Sequence, residues 1–144
     1  MEQDYAQAVT CYQKAAGEGL DAAQFNLGLK CENGEGVAQD SSEAAKWYRQ
    51  AADQGFASAQ FNLALKYVTG QGVEQDYVQA YLWMDLAAAG WRADDGKRYA
   101  ATRDKLAATM NHVQIIEAQR LAREWISRQP GIIWRLIESM RMRD

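Results

Sequence analysis

DAAQFNLGLKCENGEGVAQD at residues 21 to 40 and ASAQFNLALKYVTGQGVEQD at residues 57 to 76 are one phrase written twice, 36 positions apart and identical at 12 of 20 positions. A fixed period of that length is the mark of stacked structural units, each burying its apolar face against the next. Within the phrase, Ala23, Leu27 and Cys31, and then Ala59, Leu63 and Tyr67, recur every fourth residue and form a helical core stripe. Gly28 and Ala64 keep one flank of that stripe small enough for a close neighbour. Gly34-Glu35-Gly36-Val37, repeated as Gly70-Gln71-Gly72-Val73, reads as a tight loop with a valine anchor.

Around the phrase lie three copies of a second helix, over residues 4–17, 40–53 and 76–89, each opened by an Asp (Asp4, Asp40, Asp76) suited to capping the free amides of a first turn. Their shared residues, Ala8/Ala44/Ala80, Ala15/Ala51/Ala87 and Ala16/Ala52/Ala88, fall on one face with Tyr12/Tyr48/Met84, Trp47 and Trp83. Small alanines beside large aromatics suit close helix-on-helix packing. Glycines are expected to end these helices in the left-handed conformation: Gly17 and Gly19, Gly55, and Gly90.

The succession of Ala-x-x-x-Leu-Gly/Ala-x-x-Tyr, Gly-x-Gly-Val, a capping Asp and Ala-x-x-Trp-Tyr-x-x-Ala-Ala resembles the Sel1-like repeat, a relative of the tetratricopeptide repeat. The resemblance covers residues 1–90, divided as a partial repeat 1–19 and full repeats 20–55 and 56–90. It implies an all-α fold, an α-α superhelix (solenoid) of helix pairs, in a family whose members mostly act as adaptors and scaffolds, often in bacteria. Cys11 for Trp, Cys31 for Tyr, Met84 for Tyr and a one-residue shortening before Gly90 depart from the pattern and bear on local packing.

Beyond Gly90 the repeat degrades. Residues 91–129 are expected to form a last degenerate unit and a capping helix, with Tyr99 and Leu106 buried in the first helix and Asn111 with Gln114 capping the second. Ile115, Ala118, Ala122 and Trp125 share the inner face of that second helix, while Arg120, Arg123, Glu124 and Arg128 turn to water. A terminal unit must cover the last stripe in this way. Pro130-Gly131 then breaks the chain, and residues 131–144 carry an amphipathic stripe of Ile132, Ile133, Leu136, Ile137 and Met140 that folds back or joins two copies into a homo-oligomer.

Charge is unevenly spread. Residues 1–90 hold 12 acids against 5 bases, and residues 91–144 hold 7 against 11. The basic arginines are interleaved with acids around helices, and the body is acidic, so nucleic acid is not an expected partner. A bilayer-spanning apolar run is absent, as is a signal peptide. Glu2-Gln3-Asp4-Tyr5 copies Glu74-Gln75-Asp76-Tyr77, so the chain opens within its own repeat, as an excerpt of something longer would, and compartment stays open between bacterial cytoplasm and periplasm.

Catalytic and cofactor chemistry find little support. The Gly-x-Gly loops lack the third glycine of a dinucleotide fingerprint and the Gly-Lys-Ser/Thr of a P-loop. His112, the single histidine, sits in the first turn of a capped helix, and no ligand cluster implies a metal. Cys11 and Cys31 are too few for a disulfide framework and read as small buried apolar residues. No cofactor and no enzymatic activity are expected.

The functional candidates are the repeated polar positions that stacking does not obviously require. Asn26, Lys30 and Asn33 lie together at i, i+4 and i+7, and Asn62, Lys66 and Thr69 repeat the arrangement one unit on. Since leading helices usually line the concave surface of such solenoids, this ladder of donors, flanked by Phe25 and Phe61, is expected to face a groove that accepts a peptide or a helix of another protein. The other reading of the same residues is that the Asn side chains bond backbone and the Lys side chains are solvated.

Overall fold

A computed structural model of the chain describes residues 2–90, 93–129 and 131, with the side chains of 2–4, 93 and 94 excepted. The expected apolar tail at Ile132, Ile133, Leu136, Ile137 and Met140 lies outside the described residues. Every described element is a helix: α1 (Glu2–Gly17), α2 (Asp21–Asn33), α3 (Ser41–Asp53), α4 (Ala57–Thr69), α5 (Tyr77–Ala88), α6 (Ala93–Ala107) and α7 (His112–Ser127). Each packs on the next through α6, and α7 closes the stack by resting on α5.

The caps explain where helices start. Asp40 and Asp76 are extended residues whose carboxylates accept from the amides of Glu43 and Gln79, each at 3.1 Å. α1 is already helical at Glu2, so the backbone of Asp4 lies inside the helix and not ahead of it. Asn111 and Gln114 form the full reciprocal capping box expected of them.

Glycine has two distinct tasks here. Gly34 and Gly70 end α2 and α4 at φ of 70° and 75°, where an L side chain is strained. Gly28 serves a close approach: a Cβ there would stand 2.6 Å from the Tyr48 ring and 3.3 Å from the Ala44 carbonyl. One unit on, Met84 replaces Tyr48 and Ala64 replaces Gly28, so the flexible side chain faces the larger neighbour. Gly90, expected to be left-handed like Gly19 and Gly55, does not adopt positive φ; its unit is one residue shorter, and the amide bonds back to Ala87.

Ala44, Tyr48, Ala51, Ala52, Ala59, Ala64 and Ala80 are fully buried, and the core runs from Cys31 through α5 to Ala118 and Ala122. A smaller cluster of Val9, Ala16, Ala23 and Leu27 joins α1 to α2. Phe25 meets Phe56 at 5.2 Å between ring centroids, and Phe61 meets Tyr99 at 4.5 Å. Such pairs contribute about 1 kcal/mol each beyond area burial. Trp83 is buried against Trp125, edge to face at 6.0 Å, and lies under the Arg49 guanidinium.

Both cysteines are free thiols. Cys31 is buried, as expected of a small apolar residue, but Cys11 is exposed. It occupies the position of Trp47 and Trp83, on a flank of α1 that the core does not reach.

Candidate interaction face

One flank of the leading helices α2 and α4 carries Asn26, Lys30 and Asn33, then Asn62, Lys66 and Thr69. Their sequence equivalence is not matched by equal surroundings. Asn33 and Thr69 are exposed, and Asn33 donates to Glu35 at 3.2 Å. Lys30 lies 3.7 Å from the Glu35 carboxylate and 4.6 Å from the centre of the Tyr5 ring. Tyr5 also hydrogen-bonds Glu35, which holds that carboxyl below its ordinary range, the Asn33 bond and Lys30 adding to the effect.

Lys66, in contrast, is only 4% exposed and forms an ion pair with Glu32 of the preceding unit. Glu32 also accepts from the Tyr48 hydroxyl, and the Asn62 side chain lies near the same hydroxyl. Glu32 on α2, Tyr48 on α3 and Lys66 on α4 thus form one polar clasp across the repeat junction. Burial, and then the bond to Glu32, push the Tyr48 phenol well above its ordinary value of 10.0. Lys66 therefore helps hold the stack together, and the accessible part of the ladder is Asn26, Lys30, Asn33, Asn62 and Thr69.

Phe25 and Phe61, expected as apolar anchors flanking the ladder, are half-buried in inter-repeat aromatic pairs, and Arg98 covers Phe61 at 5.4 Å. Leu65 reaches solvent on α4, 38% exposed between Asn62 and Thr69, and Tyr5, 41% exposed, does so beside Lys30.

Two sets of residues escaped the sequence reading. Gln24 and Gln60 are buried and donate to the carbonyls of Ala16 and Ala52, each at 3.2 Å. These carbonyls belong to helix ends, which leave backbone acceptors without intrahelical donors. The invariance of the Gln within the repeated phrase was the available signal. Glu32 gave none, because its counterpart one unit on is Val68.

Other features carry less chemistry. A cavity of 340 Å³ at the inter-helix turns is lined by Asp21, Phe56, Ser58, Gly90, Asp95 and Tyr99, among others. His112 is exposed in the first turn of α7. Among the described residues no cluster of His, Cys, Asp or Glu is placed to hold a metal ion, and no helix is long and apolar enough to cross a membrane.

The Sel1 repeat family model matches residues 1–20, 21–56 and 57–90. The chain belongs to the Sel1 repeat family. Among solved structures, it is 35% identical to c5321, described as a protective antigen present in uropathogenic Escherichia coli strains displaying an SLR fold, with a TM-score of 0.85. That match covers 96% of this chain and 29% of the other, so the chain spans under a third of that relative's length. A Sel1 repeat protein from Oxalobacter formigenes is 38% identical, with a TM-score of 0.58, over 62% of this chain and 68% of its own. No curated protein matches the chain. The helical-repeat solenoid is thus the fold of this Sel1 repeat chain, and Sel1 repeats generally serve as non-catalytic protein-interaction modules.

Proposed function

We propose that this chain binds and restrains one specific protein partner through the exposed edge of α2 and α4, as a non-catalytic adaptor. The observation that carries this reading is Leu65, an apolar side chain 38% exposed on α4 and within one turn of the polar Asn62 and Thr69. An apolar anchor with a polar rim is the composition of a protein-binding patch. Lys66 contributes by fixing the angle between the two units that present the patch.

The test is affinity capture by the full chain and by a Leu65→Glu, Asn33→Ala variant, with the complex weighed by light scattering. A single stoichiometric complex that is lost with the variant is the expected result. Capture unaffected by the two changes removes the patch from consideration. Light scattering of the free chain also examines self-assembly through α1 or the apolar tail: a concentration-dependent increase in mass would favour that second reading, for which the half-open face of α1 speaks.

A further inference from the structure

Between α3 and the end of α4 with its following loop lies a groove of 610 Å³. Ala45 and Leu63, both buried, form its floor with Val73 and Tyr67, and Lys46 and Arg49 stand exposed at its lip. Arg49 is held from two sides, its guanidinium over the Trp83 ring at 5.2 Å and its Nε 3.2 Å from the Asp53 carboxylate. Lys46 reaches Glu43 at 3.8 Å. The repeat does not require these polar residues. One unit earlier, the positions of Lys46, Arg49 and Tyr67 hold Thr10, Gln13 and Cys31. One unit later, those of Lys46 and Arg49 hold Leu82, which is buried, and Asp85, which pairs with Arg103 of α6 at 2.7 Å. Two of the five bases among residues 1–90 thus meet at one groove in an otherwise acidic body.

We propose that this groove binds an extended acidic segment of a partner protein. One carboxylate sits between Lys46 and Arg49, and an apolar side chain two positions away lies on Leu63, Val73 and Tyr67. The two cations are three residues apart on one helix, with Cβ atoms about 5–6 Å from each other, so a single carboxylate reaches both. Alternate side chains of an extended chain point the same way, which sets the spacing of two. The resident pairs of Lys46 with Glu43 and Arg49 with Asp53 are solvent-exposed; such pairs contribute little and yield to an incoming carboxylate. Glu74 and Asp76 line the neighbouring hollow, which shares Tyr67 and Val73 with the groove. They repel a continuous polyanion, so a short acidic segment fits where a nucleic acid does not. Leu65, Asn62 and Thr69 take no part in the groove, and the two surfaces can be tested apart.

Phage-displayed random peptides of about 12 residues are panned on the full chain, with its Lys46→Glu, Arg49→Glu variant as counter-selection. Enriched peptides are then fluorescein-labelled and titrated by anisotropy. They should share an Asp or Glu two positions from a Leu, Ile or Phe, and bind with a Kd on the order of 10–100 μM. The paired charge reversal should weaken them about tenfold or more. Glu43→Gln and Asp53→Asn free the cations, and each should tighten binding about twofold, a gain that misfolding does not imitate. Leu65→Glu should leave the affinity unchanged. No enrichment, enriched peptides without the acid, or indifference to the changes at Lys46, Arg49, Glu43 and Asp53 overturns the proposal. A fluorescein-labelled oligouridylate of like length that binds as tightly overturns it by opening the groove to any polyanion. A dimer of the chain that dissociates on the charge reversal overturns it by giving the groove to a second copy. Failure of the peptides while partner capture still depends on Leu65 would leave the interaction reading above standing and remove this one.

Discussion

Tyr48, Asn62 and Lys66 follow Tyr12, Asn26 and Lys30 at a distance of 36 positions, yet the two triads occupy different worlds. The interior triad closes on Glu32, with Tyr48 fully buried and Lys66 nearly so. The end triad is half-exposed, and its lysine turns to a loop acid and a tyrosine ring. The residues are the same; the glutamate reached from the preceding unit is not. A repeat position in a solenoid takes its role from its neighbour as much as from its own side chain.

The strongest way to break the comparison is to reverse the lysine charge at each site. Lys66→Glu places a second carboxylate against Glu32 in a site with little water, and is expected to cost about 3 kcal/mol of stability. Lys30→Glu acts at a hydrated ion pair and is expected to cost no more than about 1 kcal/mol. Urea denaturation of both variants measures the difference directly. Equal losses would mean that the two triads are energetically alike despite their surroundings.

Next in size is the exchange at the close-contact position. Gly28→Ala drives a methyl into the Tyr48 ring, and overpacking of this kind costs about 2 kcal/mol. Ala64→Gly, beside the slimmer Met84, loses only helix propensity and a small contact, about 1 kcal/mol. In the double variant Gly28→Ala, Tyr48→Met, the first unit takes the residue pair of the second, and part of the Gly28→Ala loss should be recovered. A double-mutant cycle by thermal melting settles whether the two residues are coupled.

Much of this architecture was legible in the sequence, and the reasons it was legible mark where legibility stopped. Helix limits, the Asp40 and Asp76 caps and the Asn111 box depend on local residues within one turn, which a single sequence displays. The left-handed Gly19 and Gly55 follow likewise from helix ends. The role of Lys66 depended instead on Glu32, which is distant in sequence and not repeated. Comparing the two phrases favours what they share, so it drew Lys66 into a ladder and passed over the one acid that buries it in the junction. Cys11 shows the same effect: its position is core-like in the pattern, but among the described residues no helix covers it.

Alkaline pH offers a graded test of the interior clasp. The folded state holds the Tyr48 phenol above its ordinary value of 10.0 through burial and the bond to Glu32. Below that pH the phenol is protonated in both states and its contribution to stability is complete. Above it the unfolded chain gives up the proton first, so stability falls as pH rises, by about 1.4 kcal/mol per unit for one such group. Burial, with Glu43 and Asp40 nearby, also raises the Cys31 thiol, which adds a loss of the same sign. Melting curves of a Tyr48→Phe variant between pH 8 and about 11 should show a shallower decline than the unaltered chain. An unchanged slope would assign the alkaline loss elsewhere.

The smallest expected effects come from the caps, where the two full units should behave alike because no distant residue takes part. Asp40 and Asp76 have nearly the same backbone angles, φ −154° and ψ 105° against φ −155° and ψ 104°, and the same 3.1 Å bond to an amide three residues on. Replacing either by Ala leaves that amide without its acceptor and is expected to cost about 1 kcal/mol in each case. Agreement within about 0.5 kcal/mol is the size of independence usually found between distant sites. A larger gap in chemical denaturation would show that even a local cap is weighted by the unit it opens, as the lysines are.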